Sequence, residues 1–93
     1  MGYYIPSQSV TQRLNSWLDR TLLPYSAKVC LENFVLSCDN PDIDDVQNFI
    51  SIDIINYPIN LQAKLIEGFM YAYYNSLPKV VPCNNGFLLQ EES

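Results

Sequence analysis

The chain has 93 residues, a net charge of −5, no histidine and a charged content of only 16%. That length supports one domain with a modest core, and the ordinary apolar content argues against global disorder. Acidity disfavours nucleic-acid binding, which needs lysine and arginine against phosphates, and anionic membrane surfaces. Without histidine there is no Ser-His-Asp or Cys-His catalysis, no histidine acid–base chemistry and none of the usual zinc sites.

The N-terminus, MGYYIPSQSV, lacks a basic region followed by an apolar run, so it does not read as a signal peptide. Pro6 fits badly with N-myristoylation of Gly2. No segment has the length and apolarity of a membrane span, and a cytoplasmic location is the expectation. Residues 1–8, with Tyr3, Tyr4, Ile5 and Pro6, read as an extended arm.

Ser9-Val10-Thr11-Gln12 has the spacing of a capping box and opens a helix predicted over about 10–21. Val10, Leu14, Trp17, Leu18 and Thr21 follow helical spacing on its apolar side, with Trp17 as a core anchor. Pro24 suits the start of a second helix over about 25–38. Ala27, Cys30, Leu31, Phe34, Val35 and Cys38 form its main stripe, and Tyr25, Val29 and Leu36 a second one. Such a helix is either central in a bundle or carries an interface.

The three cysteines, Cys30, Cys38 and Cys83, are odd in number and make no C-x-x-C pair, so they read as structural thiols. Asn40 before Pro41 is a good cap for a third helix over about 41–53. Its first turn collects Asp42, Asp44 and Asp45, where the helix dipole favours carboxylates. A calcium loop is excluded there, because no glycine sits at the sharp turn and the twelfth position from Asp39 is Ile50. Ile50-Ser51-Ile52-Asp53-Ile54-Ile55 alternates and is β-branched, so a short strand over 50–55 is the alternative to helix.

Leu61 to Leu77 is the clearest helix, capped by Asn60 and stopped by Pro78. Leu61, Leu65, Ile66, Phe69, Met70, Ala72, Tyr73 and Leu77 fall on a broad apolar face, with Lys64, Glu67, Gly68 and Asn75 opposite. Tyr71 and Tyr74 land among the charged positions and invite a contact role. Beyond Pro78, Lys79-Val80-Val81-Pro82 is extended and Asn84-Asn85-Gly86 signals a turn, so residues 79–89 can form a hairpin. Glu91, Glu92 and Ser93 read as a solvated end.

The expectation is a mostly α-helical bundle of about four helices in one domain over 1–93, with irregular arms and a short β element at 50–55 or 79–89. Size, acidity and missing catalytic residues favour a non-enzymatic protein-binding module without cofactor or metal. Small inhibitors of host machinery, of the phage, mobile-element or immunity/antitoxin kind, have this profile, and asparagine-, isoleucine- and tyrosine-rich usage often accompanies AT-rich genomes. Tyr71 and Tyr74 would anchor a protein partner, Lys64 and Glu67 would form the rim, and Asp42, Asp44 and Asp45 would steer a basic surface. The alternative is a self-assembling homo-oligomeric subunit, a dimer in the simplest case. A DNA-binding regulator is disfavoured because no helix concentrates basic residues.

Overall fold

A computed structural model describes residues 6–38, 40–76, 78–84 and 86–90. Four helices and a two-stranded hairpin follow one another: α1 (Pro6–Arg20), α2 (Tyr25–Ser37), α3 (Ile43–Asn48), a π-helical turn (Phe49–Asp53), α4 (Ile59–Tyr74), β1 (Lys79–Cys83) and β2 (Gly86–Gln90). The mostly α-helical bundle with a short β element is therefore the fold, and the β element lies at 79–90. No helix among the described residues is long and apolar enough to cross a membrane.

The helix boundaries differ from the sequence reading in ways that local chemistry explains. Pro6, with its fixed φ, is a good first-turn residue, and α1 begins there, so Ser9 lies inside the helix and is not its cap. The expected arm over residues 1–8 falls, through Ile5, outside the described residues, as do Asp39, Leu77, Asn85 and residues 91–93. Asn40 does not cap α3. Asp42 does so instead: its Oδ1 accepts from the Asp45 amide at 2.9 Å, and Asp45 Oδ2 accepts from the Asp42 amide at 3.1 Å. This reciprocal pair satisfies two amides at once, which Asn40 cannot do from outside Pro41.

Helix α4 starts two residues earlier than expected. Pro58 occupies the cap position, so Asn60 lies within the first turn. Its end is set by Asn75, which adopts the left-handed conformation (φ 53°, ψ 40°) and donates its amide to the Tyr71 carbonyl. Asparagine tolerates that conformation better than any residue but glycine. Asn75→Ala is therefore expected to lower stability by about 1 kcal/mol in a urea melt, while Asn75→Gly leaves it unchanged or raises it.

Segment 50–55 is neither strand nor regular α-helix. The amide of Ile54 donates to the Phe49 carbonyl five residues back, the bond of a π turn. Residues five apart then stack along the axis, so Phe49 and Ile54 are both buried while Ile52 and Ile55 stay outside. The Ile-rich alternation that resembled a strand serves this wide turn.

Helix α4 is the centre, packed by α1, α2 and β1. Its buried set, Gln62, Ala63, Leu65, Ile66, Gly68, Phe69 and Ala72, covers more than one stripe. Leu14, Trp17 and Leu18 of α1 and Ala27, Leu31 and Val35 of α2 complete the core with Phe49, Ile54 and Val80. Gly68, placed by periodicity on the polar side, is in fact buried against Trp17. Phe34 packs on Phe49 with ring centroids 4.6 Å apart and reaches Phe69 at 5.8 Å, which ties α2 to the π turn and α4. The Tyr73 hydroxyl donates to the carbonyls of Val35 and Cys38 at the end of α2.

Candidate protein-binding surfaces

The tyrosine pair divides on inspection. Tyr74 is more than half exposed, but Tyr71 is half-buried at the α1 contact. The Arg20 guanidinium carbon lies 5.4 Å from the centroid of the Tyr71 ring, a cation–π geometry. Arg13 Nε donates to the carbonyls of Tyr71 and Ala72 at 3.1 and 3.0 Å, so it adds a second donor to the Tyr71 carbonyl, which already accepts the Asn75 amide, and reaches the Ala72 carbonyl in the last turn of α4. Tyr71 thus serves the α1–α4 joint.

The rim residues have internal partners as well. Lys64 Nζ stands 3.9 Å from Glu67 Oε1, and Glu67 Oε2 accepts the Val80 amide of β1 at 3.1 Å. Lys64 is exposed and Glu67 is half-buried between α4 and the hairpin. Of the three acidic residues at α3, Asp42 and Asp45 are engaged in capping, and Asp45 also accepts the Cys38 thiol at 3.7 Å. Asp44 is exposed. Among the described residues, no group of acidic or cysteine side chains is arranged to hold a metal ion.

Helix α2 carries the larger open surface. Tyr25 and Leu36 are 82% and 67% exposed, and with half-buried Val29 they form the second stripe noted in the sequence. Spaced at 25, 29 and 36, the three lie on one side of the helix. Leu22, just before α2, is 99% exposed. Beside the stripe runs an open groove of about 420 Å³, with Ser26, Cys30, Asn33 and Ser37 on one wall and Asp53 on the other. The Cys30 thiol donates across its floor to the Asp53 carbonyl at 3.6 Å. Burial, and then the Asp53 charge, push the Cys30 thiol above its ordinary range. Cys38 is raised likewise, by burial first and then by Asp45. Both thiols therefore stay protonated at neutral pH and act as hydrogen-bond donors rather than nucleophiles.

A second groove, of about 290 Å³ and almost wholly apolar, lies between α3, the π turn, α4 and β2, and is lined by Val46, Ile50, Ile66, Met70, Phe87 and Leu89 among others. In the apolar run after Gly86, Phe87 is half-buried against the core, while Leu88 and Leu89 are exposed on the hairpin. The second groove has no titratable or nucleophilic side chain in its lining. No family model, curated protein or solved structure matches the chain.

Proposed function

We propose that this chain is a non-enzymatic protein-binding module that acts by occupying a surface of a larger protein, as a small acidic inhibitor or modulator does. The observation that supports this reading is the outward stripe of α2. Tyr25 and Leu36 are large apolar groups exposed on a helix whose opposite face is fully committed to the core, a pattern that marks interaction sites. Tyrosine and leucine beside a shallow groove with polar walls provide an anchor and a hydrogen-bonding border. Asp53 in the groove wall, exposed Asp44 and the net charge of −5 favour a partner with a basic surface. Tyr71 is taken up by Arg20, so the anchoring moves from the tyrosines of α4 to α2, with Tyr74 outside the main contact. The cytoplasm of the producing or infected cell suits three free cysteines.

Affinity capture from a lysate of the natural source, with three parallel baits, tests this reading. The baits are the intact chain, Tyr25→Ser/Leu36→Ser, and Tyr71→Ser/Tyr74→Ser. Once the captured protein is identified, its affinity for each bait is measured. Truncating two anchors should weaken binding by at least about 30-fold, the size of a typical hot spot. The α4 variant should bind within a few-fold of the intact chain. Undiminished binding by the α2 variant would refute the assignment, and circular dichroism should show all three baits equally helical.

A further inference from the structure

The two edges of the hairpin are chemically unlike. Strands β1 and β2 are antiparallel, with Lys79 opposite Gln90, Val80 opposite Leu89, Val81 opposite Leu88, Pro82 opposite Phe87 and Cys83 opposite Gly86. The Val80 amide is taken by Glu67 and Pro82 has no amide, so these two residues face away from β2. In an antiparallel ladder the hydrogen-bonding direction alternates. Lys79, Val81 and Cys83 therefore bond to β2, and on β2 it is Phe87 and Leu89 whose amides and carbonyls point to the free side.

The outer edge of β1 is closed by a carboxylate and by a proline, and α4 packs against the strand. Among the described residues, the outer edge of β2 has no strand partner. GFLLQ contains no proline, no lysine and no charge, and Leu88 and Leu89 are 53% and 46% exposed. Folded proteins rarely leave such an edge bare. A lone two-stranded hairpin also gains from further strands.

We propose that β2 pairs with β2 of a second copy of this chain, antiparallel about Leu88, to give one four-stranded sheet across a twofold axis. The register supports a second copy as the occupant. The two outward-facing residues lie symmetrically on either side of Leu88, so a twofold rotation sets Phe87 of each copy against Leu89 of the other. Each such pair exchanges both of its free backbone bonds. Leu88 meets Leu88 in the intervening, closer pair. The strand is uncharged, so no like charges meet along it. Antiparallel pairing sends the two C-terminal ends of β2 to opposite sides of the sheet, whereas parallel pairing would bring them together. The axis is perpendicular to the sheet, so Phe87 and Leu89 of both copies stay on the helix-facing side, and the two apolar grooves adjoin across it.

Sedimentation equilibrium over a concentration series tests the pairing. The intact chain should rise from its monomer mass of 10.7 kDa to twice that value. Leu88→Lys and Leu88→Glu each put like charges face to face at the axis and should remain monomeric where the intact chain is dimeric. Mixing the two variants in equal amounts should restore the dimer. In the intact chain, the amides of Phe87 and Leu89 should exchange slowly in the dimer and quickly on dilution, a readout that involves no substitution. An intact chain that stays monomeric overturns the proposal. So does a dimer that survives in either single variant, or a mixture that fails to reassemble. None of these outcomes bears on the α2 surface, which lies on other elements and is tested by its own variants.

Discussion

Gln62→Glu should make the stability of this protein fall as pH rises, by about 2–3 kcal/mol between pH 4 and neutrality. Gln62 is the buried polar side chain of α4, and its Nε2 donates to the carbonyls of Ile55 at 3.1 Å and Tyr57 at 2.7 Å. These bonds hold the segment that links the π turn to α4. A glutamate of the same shape, once ionised, has no hydrogen to donate and faces two carbonyl oxygens in a buried site. Both effects disfavour the anion, so its folded-state pKa lies above the unfolded value of about 4.3. Below that value both states hold the proton, and the variant loses only about 1 kcal/mol for one missing hydrogen bond. Above it the unfolded chain releases its proton first, and stability falls by about 1.4 kcal/mol per pH unit until the folded pKa is reached. A raise of about two units gives the stated loss. Urea melts of the variant and the parent at several pH values measure the difference, which should grow with pH and then level off. A pH-independent difference would mean that the Ile55–Tyr57 segment moves aside and lets water reach the carboxylate.

Gly68→Ala should destabilise the protein by about 2 kcal/mol, although alanine is the better helix former. A Cβ at this position would stand 2.6 to 2.8 Å from three carbons of the Trp17 ring. The indole is rigid and buried, with Leu14 and Leu18 beside it on α1, so it cannot withdraw without separating α1 from α4. Overpacking of this kind costs about 1–3 kcal/mol, against a gain of up to about 1 kcal/mol from helix propensity. Trp17→Leu in the Gly68→Ala background frees the space and should recover part of the loss. A double-mutant cycle should therefore show coupling of at least about 1 kcal/mol. Additive effects would show that the two residues do not compete for the same volume.

These two positions also show what sequence reasoning can reach. Periodicity located all four helices and the dominant apolar faces, because hydrophobic spacing is a local signal. It put Gly68 on the polar side because a hydropathy pattern treats glycine as neither core nor surface. What buries Gly68 is the size of Trp17, some fifty positions earlier in the chain. Gln62 was invisible for the same reason: its two acceptors belong to a connection whose path depends on the π turn. The π turn itself arises where one extra residue lets Phe49 and Ile54 share the core, and at the sequence level that looks like strand alternation. Asn60 and Asn40 were sound caps by residue type, but Pro58 and the Asp42–Asp45 pair prevailed through geometry. Among the candidate contact residues, the second stripe of α2 was legible as an unpaired face. The engagement of Tyr71 with Arg20, and of Glu67 with Val80, depended on which helix packs beside which.

The closed side of β1 has a consequence for how far any assembly can grow. A strand edge that accepts one neighbour and then offers an equivalent edge leads to fibres, since each addition recreates the site of the last. Here the site is used up. Whatever strand joins β2, the far side of the hairpin still presents the Glu67 carboxylate against the Val80 amide, a proline two residues on, and α4 across the face. An exposed apolar strand that would otherwise be a polymerisation hazard is thereby limited to a single, terminating addition.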